Sequence, residues 1–89
     1  MEHVTVESQR LGRLVRVRRL TKGVSLRQAA QRAGVSPMWL SKLERGYIGT
    51  PHPGKLRRLG LVIGLSYPLL LARAGYPLPS EDGTSHLLR

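Results

Sequence analysis

The strongest constraint on this chain is a pair of helix starts set eleven residues apart, at Ser25 and Ser36, with Gly34 between them. Ser25 followed by Gln28 is a capping box: the serine hydroxyl accepts from an orphan amide of the first turn, and the glutamine reaches back to the serine amide. Ser36 followed by Pro37 is a second start, because serine caps well and proline at the first helical position gives up an N–H that had no partner. Gly34 supplies the left-handed conformation that ends a helix. The segment Leu26 to Ala33 therefore holds little more than two turns before the chain must change direction. Within it Leu26, Ala29, Ala30 and Ala33 recur at i, i+3, i+4 and i+7, the spacing of one buried stripe. In the next helix Val35 and Leu40 are spaced for a hydrophobic staple, Leu40 and Leu43 face inward, and Gly46 stops the run. The result is a two-helix corner, in which the small Ala30 permits close crossing and the second helix keeps its other face open.

Three further helices surround this corner. One runs from about Ser8 to Thr21, with Leu11, Leu14 and Val15 on one face and Gly23 beyond its end. Arg18 interrupts that stripe, and is expected to snorkel, to pair with a carboxylate or to mark an irregular turn. After the turn residues Tyr47 to Pro53, a helix covers about Pro53 to Ile63 with Leu56, Leu59 and Ile63 as its core stripe. The last covers about Tyr67 to Ala74 and ends at Gly75. No stretch alternates as a strand would, so the expected fold is all-α, a compact five-helix bundle over residues 8–75. Residues 76–89, YPLPSEDGTSHLLR, read as a short C-terminal tail outside the bundle: extended, disordered or part of a dimer interface. Eighty-nine residues leave room for one core.

The formal charge of +10 points to an anionic partner, with nucleic acid the leading candidate. The charge is concentrated, for residues 10–58 carry thirteen Lys and Arg against a single acid, Glu44. That part of the chain is expected to do the binding. Arg outnumbers Lys 12 to 3, which suits bidentate phosphate contacts. The absence of cysteine excludes a disulfide framework and thiolate metal sites. The first residues carry neither a basic leader nor an apolar run, so no secretory signal is expected. The most apolar stretch, Leu59 to Leu71, is 13 residues long and is broken by Gly60, Gly64 and Pro68. A membrane span needs about 20 apolar residues. A soluble, cytoplasmic protein without a membrane partner is expected.

Catalysis lacks its equipment here. Asp82 is the single aspartate and lies beside Glu81 in the tail, and no carboxylate pair falls inside the bundle. His3, His52 and His86 are far apart in sequence, so no metal site is expected. There is no Gly-rich phosphate loop of the Walker or Rossmann type. The reading is of a protein that is no enzyme, has no cofactor and shows no small-molecule ligand.

The run VSLRQAAQRAGVSPMWLSKLERG, Val24 to Gly46, resembles the stretch from helix 2 to the end of helix 3 in the Cro/repressor-type helix-turn-helix family, also called the xenobiotic-response-element family. Pro51, the run LRRLG from Leu56 and the run LLLARAG from Leu69 are similar to its last two helices. The resemblance covers roughly residues 10–75 and implies a five-helix, lambda-repressor-like domain. It further implies binding to double-stranded operator DNA, usually as a dimer, with Ser36 to Arg45 as the recognition helix. It also implies a structural ion pair between Arg19 and Glu44, which stand where the family often carries arginine and glutamate. Leu26 and Pro37 depart from the family, occupying places where many members, or some phage repressors, use glutamine.

Base reading then falls to Met38, Trp39, Ser41 and Lys42. Lys42 donates to guanine O6 or N7, Met38 and Trp39 cover a thymine methyl or pack on sugar, and Ser41 bonds to several base edges. Trp39 has a second reading as a lid over the core. Phosphate positioning falls to Ser25, Arg27, Ser36, Arg45, Tyr47 and His52. Leu61 lies opposite the stripe of its helix, and Leu69, Leu70 and Leu71 span more arc than one core face buries. Leu61, Leu69 and Leu70 are therefore candidates for a homodimer interface, unless the tail residues Leu78, Leu87 and Leu88 fold back over them.

The expected function is a sequence-specific transcriptional regulator, a dimeric repressor reading an inverted-repeat operator. The alternative is an antitoxin-like or adaptor module that binds a protein partner through its leucine-rich C-terminal part. A third reading, sequence-independent packaging through the basic segment, would not need the two-helix corner.

Overall fold

Among the described residues, every helix begins at a side-chain atom that accepts a hydrogen bond from the helix's own first turn. The computed structural model describes residues 4–77, and within them lie α1 (Val6–Thr21), α2 (Leu26–Ala33), α3 (Pro37–Glu44), α4 (Pro53–Ile63) and α5 (Tyr67–Arg73). Their caps are Thr5, Ser25, Ser36, His52 and Ser66. Ser25 and Gln28 form the expected box, with Gln28 N donating to Ser25 Oγ at 3.0 Å and Ser25 N donating to Gln28 Oε1 at 3.1 Å. A second box, unforeseen in the sequence, joins Thr5 and Ser8 and starts α1 two residues before the expected position. Gly34 ends α2 at φ 69°, the left-handed conformation that the corner requires.

The corner is closed by small residues. Ala29, Ala30 and Ala33 have no exposed surface, nor do Leu40 and Leu43 on the inner side of α3. α2 lies against α4, whose Leu56, Leu59 and Ile63 are fully buried, while α3 lies against α1, which contributes Leu11 and Val15. Leu14 and Leu26 sit at the edge of their stripes and are only half-buried. Arg18 takes a route that its helix phase did not suggest. Its Nε donates to Ile63 O at 3.0 Å and its terminal nitrogen to Gly64 O at 3.4 Å. It thus serves the unpaired carbonyls at the C-terminus of α4.

Two expectations about the C-terminal part are corrected. Leu70 is fully buried and Leu71 is 9 % exposed, because α5 packs on both α4 and α1 and so has two covered faces. Leu70 belongs to the core and is removed from the dimer-interface candidates; Leu69 is half-buried, and Leu61 stays 81 % exposed. Tyr76 is not outside the bundle. It packs against the core, its hydroxyl donates to Pro51 O at 3.0 Å, and its amide donates to Leu71 O at 2.9 Å. Residues 78–89 of the proposed tail, including Leu78, Leu87 and Leu88, lie outside the described residues. Tyr76→Phe is expected to destabilise the fold by about 1 kcal/mol through loss of the Pro51 bond, lowering the thermal midpoint by roughly 4–8 °C. A calorimetric melt of the two proteins checks this; an unchanged midpoint would deny the clasp.

Among the described residues, no helix is long and apolar enough to cross a membrane.

Candidate nucleic-acid interface

α3 is held in place by one face of α1. With a 100° step per residue, Ser8, Gly12, Val15 and Arg19 fall within about 60° of one another on that helix. Each of the first, second and fourth meets the C-terminal end of α3 or the turn that follows. Ser8 Oγ donates to Gly46 O at 2.8 Å in a buried hydrogen bond. At Gly12 the two backbones touch, since a Cβ there would press into Leu43 O and lie 2.6 Å from Glu44 O. Arg19 grips Glu44 with two nitrogens, Nε to Oε2 at 2.6 Å and the terminal nitrogen to Oε1 at 2.9 Å, and its other terminal nitrogen donates to Val24 O at 3.0 Å.

The Arg19–Glu44 pair is shielded, with side chains 8 % and 5 % exposed. The hydrogen bond to Glu44 pushes the Arg19 pKa above its ordinary value, burial opposes this, and the carboxylate charge adds to the rise. Arg19 is consequently a cation at any accessible pH, and the fork geometry fixes the direction of the α3 terminus. The ion pair expected between these residues is present.

The opposite face of α3 is turned outward. Met38 is 68 % exposed, Arg45 is exposed, and Ser41 and Lys42 are half-buried. Their spacing of i, i+3, i+4 and i+7 aligns them along one side of the helix, facing away from Leu40 and Leu43. Arg45 Nε donates to Ser41 O at 3.3 Å, and its guanidinium carbon lies 5.1 Å from the centre of the Tyr47 ring. That cation–π contact keeps the charge close to the tyrosine hydroxyl. Trp39 is half-buried, packs on the core and carries Lys55 Nζ over its ring at 5.1 Å. This placement favours the lid reading of Trp39 over the base-reading one.

The phosphate candidates flank this helix as caps and turn residues. Ser25 Oγ and Ser36 Oγ accept from Gln28 N and Trp39 N, each at 3.0 Å, so each hydroxyl keeps its proton for another acceptor. Arg27 is exposed on the first turn of α2. His52 has a role not foreseen: its Nδ1 accepts from Gly54 N at 3.0 Å as the cap of α4, which leaves Nε2 as the donor. Lys55, in the first turn of α4, carries no local signal in the sequence, because only the folded chain brings it to Trp39.

The basic segment is not one patch. Arg18 and Arg19 are engaged as described, and Arg58 Nε donates to Ala33 O at 2.8 Å, closing the C-terminus of α2. Arg10 and Arg13 project from α1 about 170° and 130° away from the centre of the face that holds α3. The charge available beside α3 is accordingly smaller than the count over residues 10–58 suggests. Among the described residues no three His, Cys, Asp or Glu side chains gather as a metal site would require.

A short helix fastened along one side and open along the other, following a glycine corner, defines the helix-turn-helix class. The family model described as a helix-turn-helix domain matches residues 10–74, and the chain belongs to that family. The Cro/repressor-type resemblance carried by Val24 to Gly46 is thereby upheld. A relative from Mycobacterium tuberculosis, described as an uncharacterized HTH-type transcriptional regulator, is 40 % identical over 70 residues, covering 79 % of this chain and 49 % of the relative. This chain thus spans about half the length of the relatives it matches.

Among solved structures, the clp gene regulator ClgR from Corynebacterium glutamicum superposes with a TM-score of 0.66 at 34 % identity, over 80 % of this chain and 91 % of that one. The biofilm master regulator SinR, in complex with DNA, gives 0.64 at 33 % identity, over 68 % of this chain and 97 % of that one. SinR in complex with SinI gives 0.65 at 26 % identity, over 88 % and 78 %.

Proposed function

We propose that this chain binds double-stranded DNA in a sequence-specific manner and regulates transcription, placing α3 in the major groove. The observation that carries the reading is the asymmetry of α3: three attachments to α1 on its inner side, and Met38, Ser41, Lys42 and Arg45 in line on its outer side. A recognition helix must be rigid in direction and open along one face, and this one is both. The relatives support the reading, since HTH-type transcriptional regulators match this chain and SinR is seen with DNA.

In this account Met38, Ser41 and Lys42 read base edges, with Trp39 supporting them from the core side. Ser25, Arg27, Ser36, Arg45, Tyr47 and His52 hold phosphates and fix the register. The protein works in the cytoplasm as a homodimer on two half-sites about 34 Å apart, and acts by occlusion as a repressor. Leu61, 81 % exposed on α4, is the best remaining anchor for the second copy. It acts by binding and performs no reaction. A second reading, binding of a protein partner by the C-terminal part, draws on the SinR complex with SinI. The two readings meet at one surface, because a partner that covers Leu61 would displace the second copy.

Lys42→Ala is expected to relax preference at one base position, while Arg45→Ala weakens all duplexes alike and lowers the salt slope by about one. Titrations of matched and single-mismatch duplexes at several salt concentrations check both. Equal loss on every sequence from Lys42→Ala would remove it from base reading.

A further inference from the structure

A surface helix has no need of a second apolar stripe opposite its core face, yet α1 carries one. Val6, Arg10, Arg13, Val17 and Leu20 follow one another at steps of four, three, four and three residues, the alternation of a coiled-coil seam. At 100° per residue they lie within about 80° of one another along roughly 21 Å of helix, centred about 150° from the face that holds α3. All five are exposed, and the three apolar ones are more than half so. Beside the stripe a groove of about 610 Å³ opens between α1 and α5, lined by Arg10, Arg13, Leu14, Val17 and Arg73. Among the described residues none of its three guanidiniums is ion-paired.

The order of residues along the stripe selects its occupant. Apolar side chains stand at the two ends and arginines in the middle. Two copies of α1 meeting there, whether parallel or antiparallel about the centre of the stripe, would stack arginine on arginine, and like charges opposed in this way disfavour association. A lipid surface fits no better, for an interfacial helix keeps its cations on the polar face, whereas these would be drawn in together with the apolar ends. Phosphates of a duplex would answer the arginines and leave Val6, Val17 and Leu20 uncovered. What matches every position is a second helix with aliphatic side chains at the ends of its own seam and carboxylates in the middle.

We propose that the outer face of α1 receives an acidic amphipathic helix of a partner protein, its carboxylates against Arg10, Arg13 and Arg73 and its aliphatic side chains against Val6, Val17 and Leu20. The bound helix covers exposed apolar surface and neutralises charge that no acid of the described residues meets. This face points away from α3, so the partner leaves the proposed DNA-reading surface open and binds with or without DNA.

The probe is a fluorescein-labelled helical peptide of three heptads, with glutamate at the central seam positions and leucine at the outer ones; its counterpart carries lysine for glutamate. By fluorescence anisotropy the full-length chain is expected to bind the glutamate peptide and not the lysine one. Arg10→Glu with Arg13→Glu is expected to weaken that binding about tenfold or more. The same variant is expected to admit the lysine peptide instead, which a misfolded chain could not do. Val17→Ser is expected to weaken the glutamate peptide too, separating seam contact from charge alone. In nitrogen-15 spectra the glutamate peptide is expected to shift the amides of Arg10, Arg13 and Val17. Failure to bind either peptide, equal affinity for both, binding untouched by charge reversal, or shifts confined to α3 would each overturn the proposal. Binding of phosphatidylglycerol vesicles lost on charge reversal, with no peptide bound, would assign the stripe to a lipid surface, and a dimer that dissociates on Val17→Ser would assign it to a second copy. Either result would equally overturn it.

Discussion

Gly12→Ala is expected to destabilise this protein by about 3 kcal/mol, the upper part of the usual range for overfilling a packed site. The sign is what makes it informative. By helix propensity alone, replacing a mid-helix glycine with alanine stabilises by roughly 0.5–1 kcal/mol. Here the added methyl would press into Leu43 O and stand 2.6 Å from Glu44 O. Both are backbone atoms, so no side chain can swing aside, and α1 and α3 must move apart. For a domain of this size about 3 kcal/mol corresponds to a fall of roughly 10–20 °C in thermal midpoint. Gly23→Ala is the control, since Gly23, unlike Gly12, has a left-handed backbone, φ 70°, and nothing within 4 Å of its would-be Cβ. It is expected to lose only the left-handed penalty of about 1–2 kcal/mol. Chemical denaturation of both variants checks the account. A Gly12→Ala protein as stable as the parent would show that the two helices do not touch there.

Glu44→Leu is expected to cost about 3–5 kcal/mol, because it strands the Arg19 guanidinium in a shielded site with no opposite charge. Arg19→Met is expected to do the same from the other side. Replacing both at once, Arg19→Met with Glu44→Leu, should restore most of the stability, since a buried pair often does no more than break even against apolar packing. What the double variant loses is the fork that sets the direction of the α3 terminus. Its stability and its discrimination between duplexes should therefore separate, the first near the parent's and the second reduced. Equilibrium unfolding of the four proteins gives the coupling energy directly. The coupling is expected to survive added salt, for screening acts weakly on a pair only 8 % and 5 % exposed. A coupling near zero would make the pair a surface contact of little weight.

The parts of this fold legible in the sequence are those written within one turn of chain. Ser25 with Gln28, Ser36 with Pro37, and Gly34 and Gly46 marked α2 and α3, because capping satisfies groups at most a few residues away. The bounds of α4, Pro53 to Ile63, agree with the expected span carried by its Leu56, Leu59 and Ile63 stripe. The Thr5–Ser8 box is not legible in the same way, because its third-position partner is serine in place of Glu or Gln, and the sequence alone places the start of α1 at Ser8.

What escaped more widely was anything decided between helices. Gly12 reads locally as a weak point in a polar helix, and only the approach of α3 reveals why no side chain fits. Arg18 and Arg58 count as surface charge in a sum, yet each serves the carbonyl end of another helix. Leu70 reads as a dimer residue in the sequence because one helix face cannot bury three consecutive leucines, whereas α5 has neighbours on two sides. Of the candidate interface, the outward line Met38, Ser41, Lys42 and Arg45 followed from helix phase. Lys55 beside Trp39, the cap made by His52 and the buried hold of Ser8 on Gly46 did not, since they join residues from different elements or serve backbone groups.

The central claim is that α3 reads base sequence, and selection of bound duplexes from a random library tests it most directly. The selection is best made at about 0.2 M salt, where binding through phosphates alone is strongly weakened. The expected result is enrichment of an inverted repeat with half-sites about one turn, or 34 Å, apart. Failure to enrich any sequence, by a folded protein that still binds DNA at low salt, would contradict the claim and leave α3 as part of a nonspecific basic surface.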